Sequence, residues 1–133
     1  MKSSITHKVL VVEDEEVVRK IFVKALEDRG YDVVEAVDGK NAMEVWIKEQ
    51  PDLVLLDILL PEMDGFQLLK TMREYPSEHH RDTPVVVITN LYKRSDVIKA
   101  SKYSIEQFMV KANHTTEEVM QRIDDVFLRQ HQK

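Results

Sequence analysis

Carboxylates, a hydroxyl and an ammonium stand directly after four short apolar runs of this chain. Glu13-Asp14-Glu15-Glu16 follows Val9-Leu10-Val11-Val12, Asp57 follows Leu53-Val54-Leu55-Leu56, Thr89 closes Val85-Val86-Val87-Ile88, and Lys111 follows Phe108-Met109-Val110. With the apolar runs as parallel strands, Glu13, Asp14 and Asp57 crowd one small cleft. Like charges so close raise each other's pKa and weaken the fold unless a cation lies among them. Hard oxygen donors with room for water suit Mg²⁺, which takes one or two protein carboxylates plus substrate oxygens. A metal, a hydroxyl and an ammonium around one carboxylate form a receptor for the three oxygens of a phosphoryl group. Asp57 is then the nucleophile, forming an aspartyl phosphate. Glu15 and Glu16 have a simpler explanation as acids in the first turn of a helix, near its positive dipole end.

Such a cleft needs particular elements around it. Apolar runs alternate with amphipathic stretches along the chain, the pattern of βα units around a parallel sheet. Val33-Val34 supplies the remaining strand, and the continuously apolar runs at 9–12, 53–56 and 85–88 suit strands covered on both faces. Val17, Val18, Ile21, Phe22, Ala25 and Leu26 mark a first helix that stops at Gly30. Ala42, Val45 and Trp46 mark a second, ending before Pro51, and Phe66, Leu69 and Met72 a third. Val97 and Ile98 support a short charged fourth helix. Val119, Met120, Ile123, Val126 and Phe127 define a fifth, with Thr115 and Glu118 spaced as a capping box. The architecture expected is α/β, a flavodoxin-like (βα)5 doubly wound sheet of strand order 2-1-3-4-5, in one three-layer domain. Ligands in such sheets bind beyond the carboxyl ends of the strands where the order reverses, between strands one and three. Glu13, Asp14 and Asp57 leave those two strands.

The 133 residues suit one domain, and a net charge of −5 disfavours a nucleic-acid surface. The chain has no cysteine, so it offers no disulfides, thiolate metal sites or thiol nucleophiles. The first dozen residues carry no signal-peptide pattern and no stretch reaches the length of a membrane span, which predicts a cytoplasmic protein. The stretch Tyr75 to Thr83 reads as the longest irregular one, and its His79-His80 pair as part of a solvated loop rather than a metal site.

From Lys8 to about Gln130 the sequence resembles the receiver domain of two-component response regulators, of the chemotaxis-regulator kind. The likeness rests on Glu13-Asp14, on Asp57 with Pro61 and Asp64-Gly65, on Thr89, and on Phe108 three residues before Lys111. It implies Asp57 as phosphoacceptor from a histidine kinase or histidine phosphotransfer protein. Asp14, Asp57 and the Leu59 carbonyl are implied Mg²⁺ ligands, with Glu13 acting through a metal-bound water. Thr89 and Lys111 would bind the phosphoryl group, and Phe108 would turn inward when Thr89 moves. Output would pass through the fourth helix, fifth strand and fifth helix to an effector protein, from a monomer or a phosphorylation-dependent dimer. The resemblance implies one receiver domain over 1–133 that catalyses only its own phosphorylation and slow dephosphorylation; the length leaves no room for an output domain, so the expectation is a stand-alone regulator, a phosphorelay intermediate or a receiver cut from a longer protein.

The chain departs from the family at several places. Lys111-Ala112 stands where the family usually has Lys-Pro with a cis bond, Asn90 where a small residue is usual, and Ser104-Ile105 where Gly-Ala is common. Leu59 and Leu91 flank the path of an attacking water and cannot orient it, which predicts slow autodephosphorylation. Taken alone, Phe108 also reads as plain core, and Pro61 with Asp64-Gly65 as a loop end and helix start. The basic segment Lys93 to Lys102 fits either an acidic partner face or a solvated helix. The alternative function is a pseudo-receiver, a phosphorylation-independent protein-binding module. A haloacid-dehalogenase-type phosphatase needs an Asp where Leu59 stands, and the four acids after strand one would repel a flavin phosphate.

Overall fold

The computed structural model describes residues 6–61, 63–91 and 93–131. Its elements run β1 (Lys8–Val12), α1 (Glu16–Asp28), β2 (Asp32–Ala36), α2 (Gly39–Glu49), β3 (Leu53–Leu56), α3 (Gly65–Arg73), β4 (Val85–Thr89), α4 (Arg94–Ser101), β5 (Gln107–Val110) and α5 (Thr116–His131). The strands are all parallel, in the order β2-β1-β3-β4-β5 expected from the sequence. Among the described residues no helix is long and apolar enough to cross a membrane.

Side chains alternate across a strand, so one apolar run feeds two cores. Val9, Val11, Leu53, Leu55, Val86, Ile88 and Met109 face α1 and α5, where they meet Phe22, Leu26, Ile123 and Val126. Leu10, Val12, Val54, Leu56, Val85 and Val87 face the other way, onto Ala42 and Trp46 of α2, Leu68, Leu69 and Met72 of α3, and Ala100 of α4. This double covering is why residues 9–12, 53–56 and 85–88 of the three central strands are apolar on both faces. Each fully buried Leu or Val contributes about 1.5–3 kcal/mol.

Local chemistry sets the helix ends. Asp38 accepts the Asn41 N–H at 2.7 Å and Asp64 the Gln67 N–H at 2.9 Å, starting α2 and α3. Thr115 and Glu118 exchange hydrogen bonds of 3.1 and 2.8 Å, the capping box expected for α5. Gly30, at φ +92°, ends α1.

Two helices bury less of their apolar surface than their spacing predicts. On α1, Phe22 and Leu26 are inside but Val17 is 73% and Ile21 49% exposed; Arg19 takes the buried position at that end. On α4, Val97 and Ile98 are exposed and Ala100 is the residue buried. The stretch Tyr75 to Thr83 contains one helical turn, Glu78–Arg81. It is held by Trp46, whose indole N–H donates to the Thr83 hydroxyl at 3.1 Å and whose ring lies edge-on to His80.

Arg73, the last residue of α3, ties the lower end of the sheet together. Its Nε donates to the Tyr103 carbonyl at 2.7 Å, its Nη1 to the carbonyls of Arg81 and Thr83 at 2.8 and 2.7 Å, and its Nη2 to that of Ser104 at 3.4 Å. Ser104 itself is left-handed, at φ 57°.

Candidate functional site

The acids meet because β1 and β3 are neighbours in register, Val12 opposite Leu56. The Asp57 N–H donates to the Val12 carbonyl at 3.0 Å, so the chain leaves both strands at one level, into the reversal of strand order. Glu13 is 1% and Asp57 3% exposed, whereas Asp14 is on the surface. One ligand oxygen from each of Glu13, Asp14 and Asp57 lies within 4.8 Å of the others.

Lys111, from a 3₁₀ turn over Lys111–Asn113, reaches into this cluster. Its Nζ is 2.7 Å from Asp57 Oδ2 and 2.6 Å from Glu13 Oε1. The first contact is a hydrogen bond; the second is a close ion pair off the hydrogen-bonding direction, so Glu13 Oε1 is buried without an aligned donor. The Lys111-Ala112 bond is trans. The missing proline therefore changes the turn without withdrawing the ammonium from the acids.

Burial raises the Glu13 carboxyl above its usual range, against the pull of Lys111 and of the Glu15 N–H. Burial alone would lower the Lys111 ammonium, but its contacts with Asp57 and Glu13 outweigh that and raise it. The pocket thus carries more carboxylate than one ammonium balances. The unaligned Glu13 oxygen and the three clustered carboxyl oxygens are a donor set that fits a hard divalent cation.

Asp57 Oδ1 accepts the Leu59 N–H at 2.9 Å, which fixes the carboxylate and the loop after β3. That loop is held from below by α3. A Cβ on Gly65 would lie 2.5 Å from Ile58 Cα, and the Gly65 N–H donates to the Ile58 carbonyl at 2.9 Å. Only glycine permits that approach, so Asp64-Gly65 both starts α3 and seats the loop.

Thr89 is wholly buried at the end of β4, and its hydroxyl accepts the Leu91 N–H at 3.3 Å. No acceptor takes the hydroxyl proton among the described residues, which leaves it for an incoming oxygen. Phe108 lies opposite Val87 and packs, half-buried, on the α2–α3–α4 side of the sheet. Asn90 is exposed and does not close the pocket.

Arg19 is a participant that sequence reasoning passed over. It is buried in α1, donates from Nη1 to the Glu13 carbonyl at 3.0 Å and from Nε to Glu35 of β2 at 2.9 Å, and so braces the acidic loop. The available signal was a charged residue at an inward position, three residues before Phe22.

Comparison with known proteins gives one consistent result. Residues 9–124 match the response regulator receiver domain family. The probable transcriptional regulator ycf27 of Porphyridium aerugineum is 33% identical over 122 residues, 92% of this chain and 48% of that protein. The response regulator ArlR of Staphylococcus saprophyticus is 32% identical over 126 residues, 95% of this chain and 54% of that protein. The chain spans about half the length of these relatives. The chemotaxis protein CheY4 of Vibrio cholerae superposes with a TM-score of 0.83 at 25% identity, covering 92% of this chain and 99% of that one. With its strand order, its switch-point acids and this match over most of its length, the chain belongs to the receiver domains of two-component response regulators.

Proposed function

We propose that this chain is a cytoplasmic, phosphorylation-controlled signalling switch, with Asp57 as the acceptor and Mg²⁺ as the cofactor. The observation that carries the reading is the convergence of Lys111, Glu13 and the buried Asp57 within 2.7 Å contacts beside a buried threonine hydroxyl. Residues 8–130 act as one receiver unit. Asp14, Asp57 and the Leu59 carbonyl would hold the metal, with Glu13 through water. When bound, Mg²⁺ supplies positive charge to the transferring phosphoryl oxygens.

A carboxylate oxygen of Asp57 attacks phosphorus of a phosphohistidine donor; the new O–P bond forms as the P–N bond breaks, and the bond's electron pair leaves with the imidazole. A carboxylate nucleophile has no proton to lose, so the step needs no base. The Leu59 N–H holds one carboxylate oxygen in place, and Lys111 is positioned to pair with a phosphoryl oxygen once that group is attached. Thr89 donates its free proton to another phosphoryl oxygen, and the shift of its hydroxyl is passed along β4 to Phe108 on β5. The histidine donor lands beside the acids, where Val17 and Ile21 expose an apolar stripe at i, i+4 on α1. Output to an effector protein uses the α4–β5–α5 face.

Incubation with Mg²⁺ and acetyl phosphate, followed by intact mass, tests the assignment. One phosphoryl adduct on the parent protein is expected, absent without Mg²⁺ and absent in Asp57→Asn. No adduct on the parent would instead make the chain a phosphorylation-independent binding module.

A further inference from the structure

Beside the acid pocket, the loops after β3 and β4 enclose an apolar groove of about 350 Å³, lined by Ile58, Leu59, Leu60, Asp64, Phe66 and Leu91. Leu59 is 49% exposed at its lip. Pockets near this size accept a few apolar groups fixed by polar ones at the rim. Both lips are bonded to the site through their main chains: the Leu59 N–H to Asp57 Oδ1 at 2.9 Å, and the Leu91 N–H to the Thr89 hydroxyl at 3.3 Å. Any change at Asp57 or Thr89 therefore bears on the width of the groove.

The α4 rim is basic. Lys93 and Arg94 are exposed and make no ion pair among the described residues, and Lys99 Nζ lies 4.3 Å from the centre of the Phe66 ring. Among the described residues, the acids at this edge are Asp64, which caps α3, and Asp96, whose Oδ2 is buried. On β5 and α5 the charges are matched within the chain, Glu106 with Arg129 at 2.9 Å and Asp125 with Arg122 at 3.9 Å. Among the described residues, the exposed charged side chains on this rim that make neither a hydrogen bond nor an ion pair, Lys93 and Arg94, are both basic.

We propose that this groove takes apolar side chains of an acidic amphipathic segment from a partner protein, and that phosphorylation at Asp57 resets its fit. The coupling rests on the phosphorylation reading above; the docking chemistry does not.

The test measures fluorescence polarisation of a dye-labelled leucine–glutamate amphipathic peptide, and of its leucine–lysine counterpart, on the full chain with and without Mg²⁺ and beryllofluoride. The glutamate peptide is expected to bind at least about tenfold tighter than the lysine one. Lys93→Glu combined with Arg94→Glu, at exposed positions, should weaken it about tenfold, as should Phe66→Ala. Beryllofluoride should change its affinity by more than about threefold, a modest difference in affinity between two states. Equal affinity for both peptides, or unchanged binding by the charge-reversed variant, overturns the docking site. A concentration-dependent dimer that Phe66→Ala abolishes assigns the groove to a second copy and overturns it as well. Identical binding with and without beryllofluoride overturns the coupling. Phosphorylation by acetyl phosphate, read by mass in parallel, separates the two readings: normal phosphorylation without peptide binding sinks the groove alone, and peptide binding without phosphorylation sinks the switch alone.

Discussion

Replacing Lys111 by Met leaves Glu13 and Asp57 facing each other in a buried site without their ammonium. At contacts of 2.6 and 2.7 Å the gross Coulomb attraction is roughly 6 kcal/mol each at an effective dielectric constant of about 20, most of it offset by desolvation. Removing one partner of a buried pair costs about 3–5 kcal/mol net. The Lys111 side chain keeps 14% exposure, so water can relieve part of the strain and the low end, about 3 kcal/mol, applies. For a domain of this size that is a fall of about 10 °C in Tm. Mg²⁺ should restore more stability to Lys111→Met than it adds to the parent, because no ammonium competes for Glu13. The deficit should also depend on pH in a defined sense. Glu13 titrates above its ordinary 4.5 in the fold, so its protonated form contributes stability that is present below 4.5 and lost as pH rises through the folded value. Without Lys111 that dependence steepens, and the deficit shrinks on acidification from pH 7.5 toward 5. Lys111 is raised above 10.5, so its stabilisation is present below 10.5 and lost as pH climbs through the higher folded value; the variant lacks this alkaline loss. Urea unfolding across pH, with and without Mg²⁺, reads all three effects. A loss below about 1 kcal/mol, within the range of exposed ion pairs, or equal Mg²⁺ stabilisation of both proteins, would refute the reasoning.

Three further outcomes are expected. Leu59→Asn should speed loss of the phosphoryl group several-fold by giving an attacking water a hydrogen-bond partner, followed as decay of the adduct mass; fast decay that the substitution fails to alter contradicts the role of the apolar lips. Ser104→Gly should stabilise the protein by about 0.5–1 kcal/mol in chemical unfolding, since glycine removes the penalty of the left-handed backbone. Gly65→Ala should destabilise by about 1–3 kcal/mol, because its Cβ meets backbone at Ile58, and should slow phosphorylation by shifting the Leu59 amide off Asp57.

The sequence carried the sheet and the acids well because both depend on short-range pattern. Four-residue apolar runs alternating with amphipathic stretches suit strands covered on both faces, and residues placed just after parallel strands share the carboxyl edge. What it carried less well depends on contacts distant in the chain. Val17 and Ile21 fit the helical period of α1 as well as Phe22 and Leu26 do, yet α1 sits on the sheet with Arg19 turned inward, bonded to Glu13 and Glu35. Period alone cannot choose between two adjacent stripes. The same holds for α4, where Val97 and Ile98 look like core and Ala100 is the core residue. The position of Lys111 without its proline followed from the geometry of a trans 3₁₀ turn, which no residue spacing encodes.

The four main-chain carbonyls gathered by Arg73 have a mechanical consequence. They belong to the segments entering β4 and leaving α4, all at the end of the sheet away from Asp57. The far end of α4, by contrast, begins at an exposed Lys93 whose side chain caps nothing. The helix is thus tied by these bonds at its C-terminal end, while among the described residues the Lys93 and Arg94 side chains at its start make no hydrogen bond or ion pair. The bonded end and the basic end of α4 therefore lie at opposite ends of the helix, and it is the basic end that borders the groove beside Thr89 and Leu91.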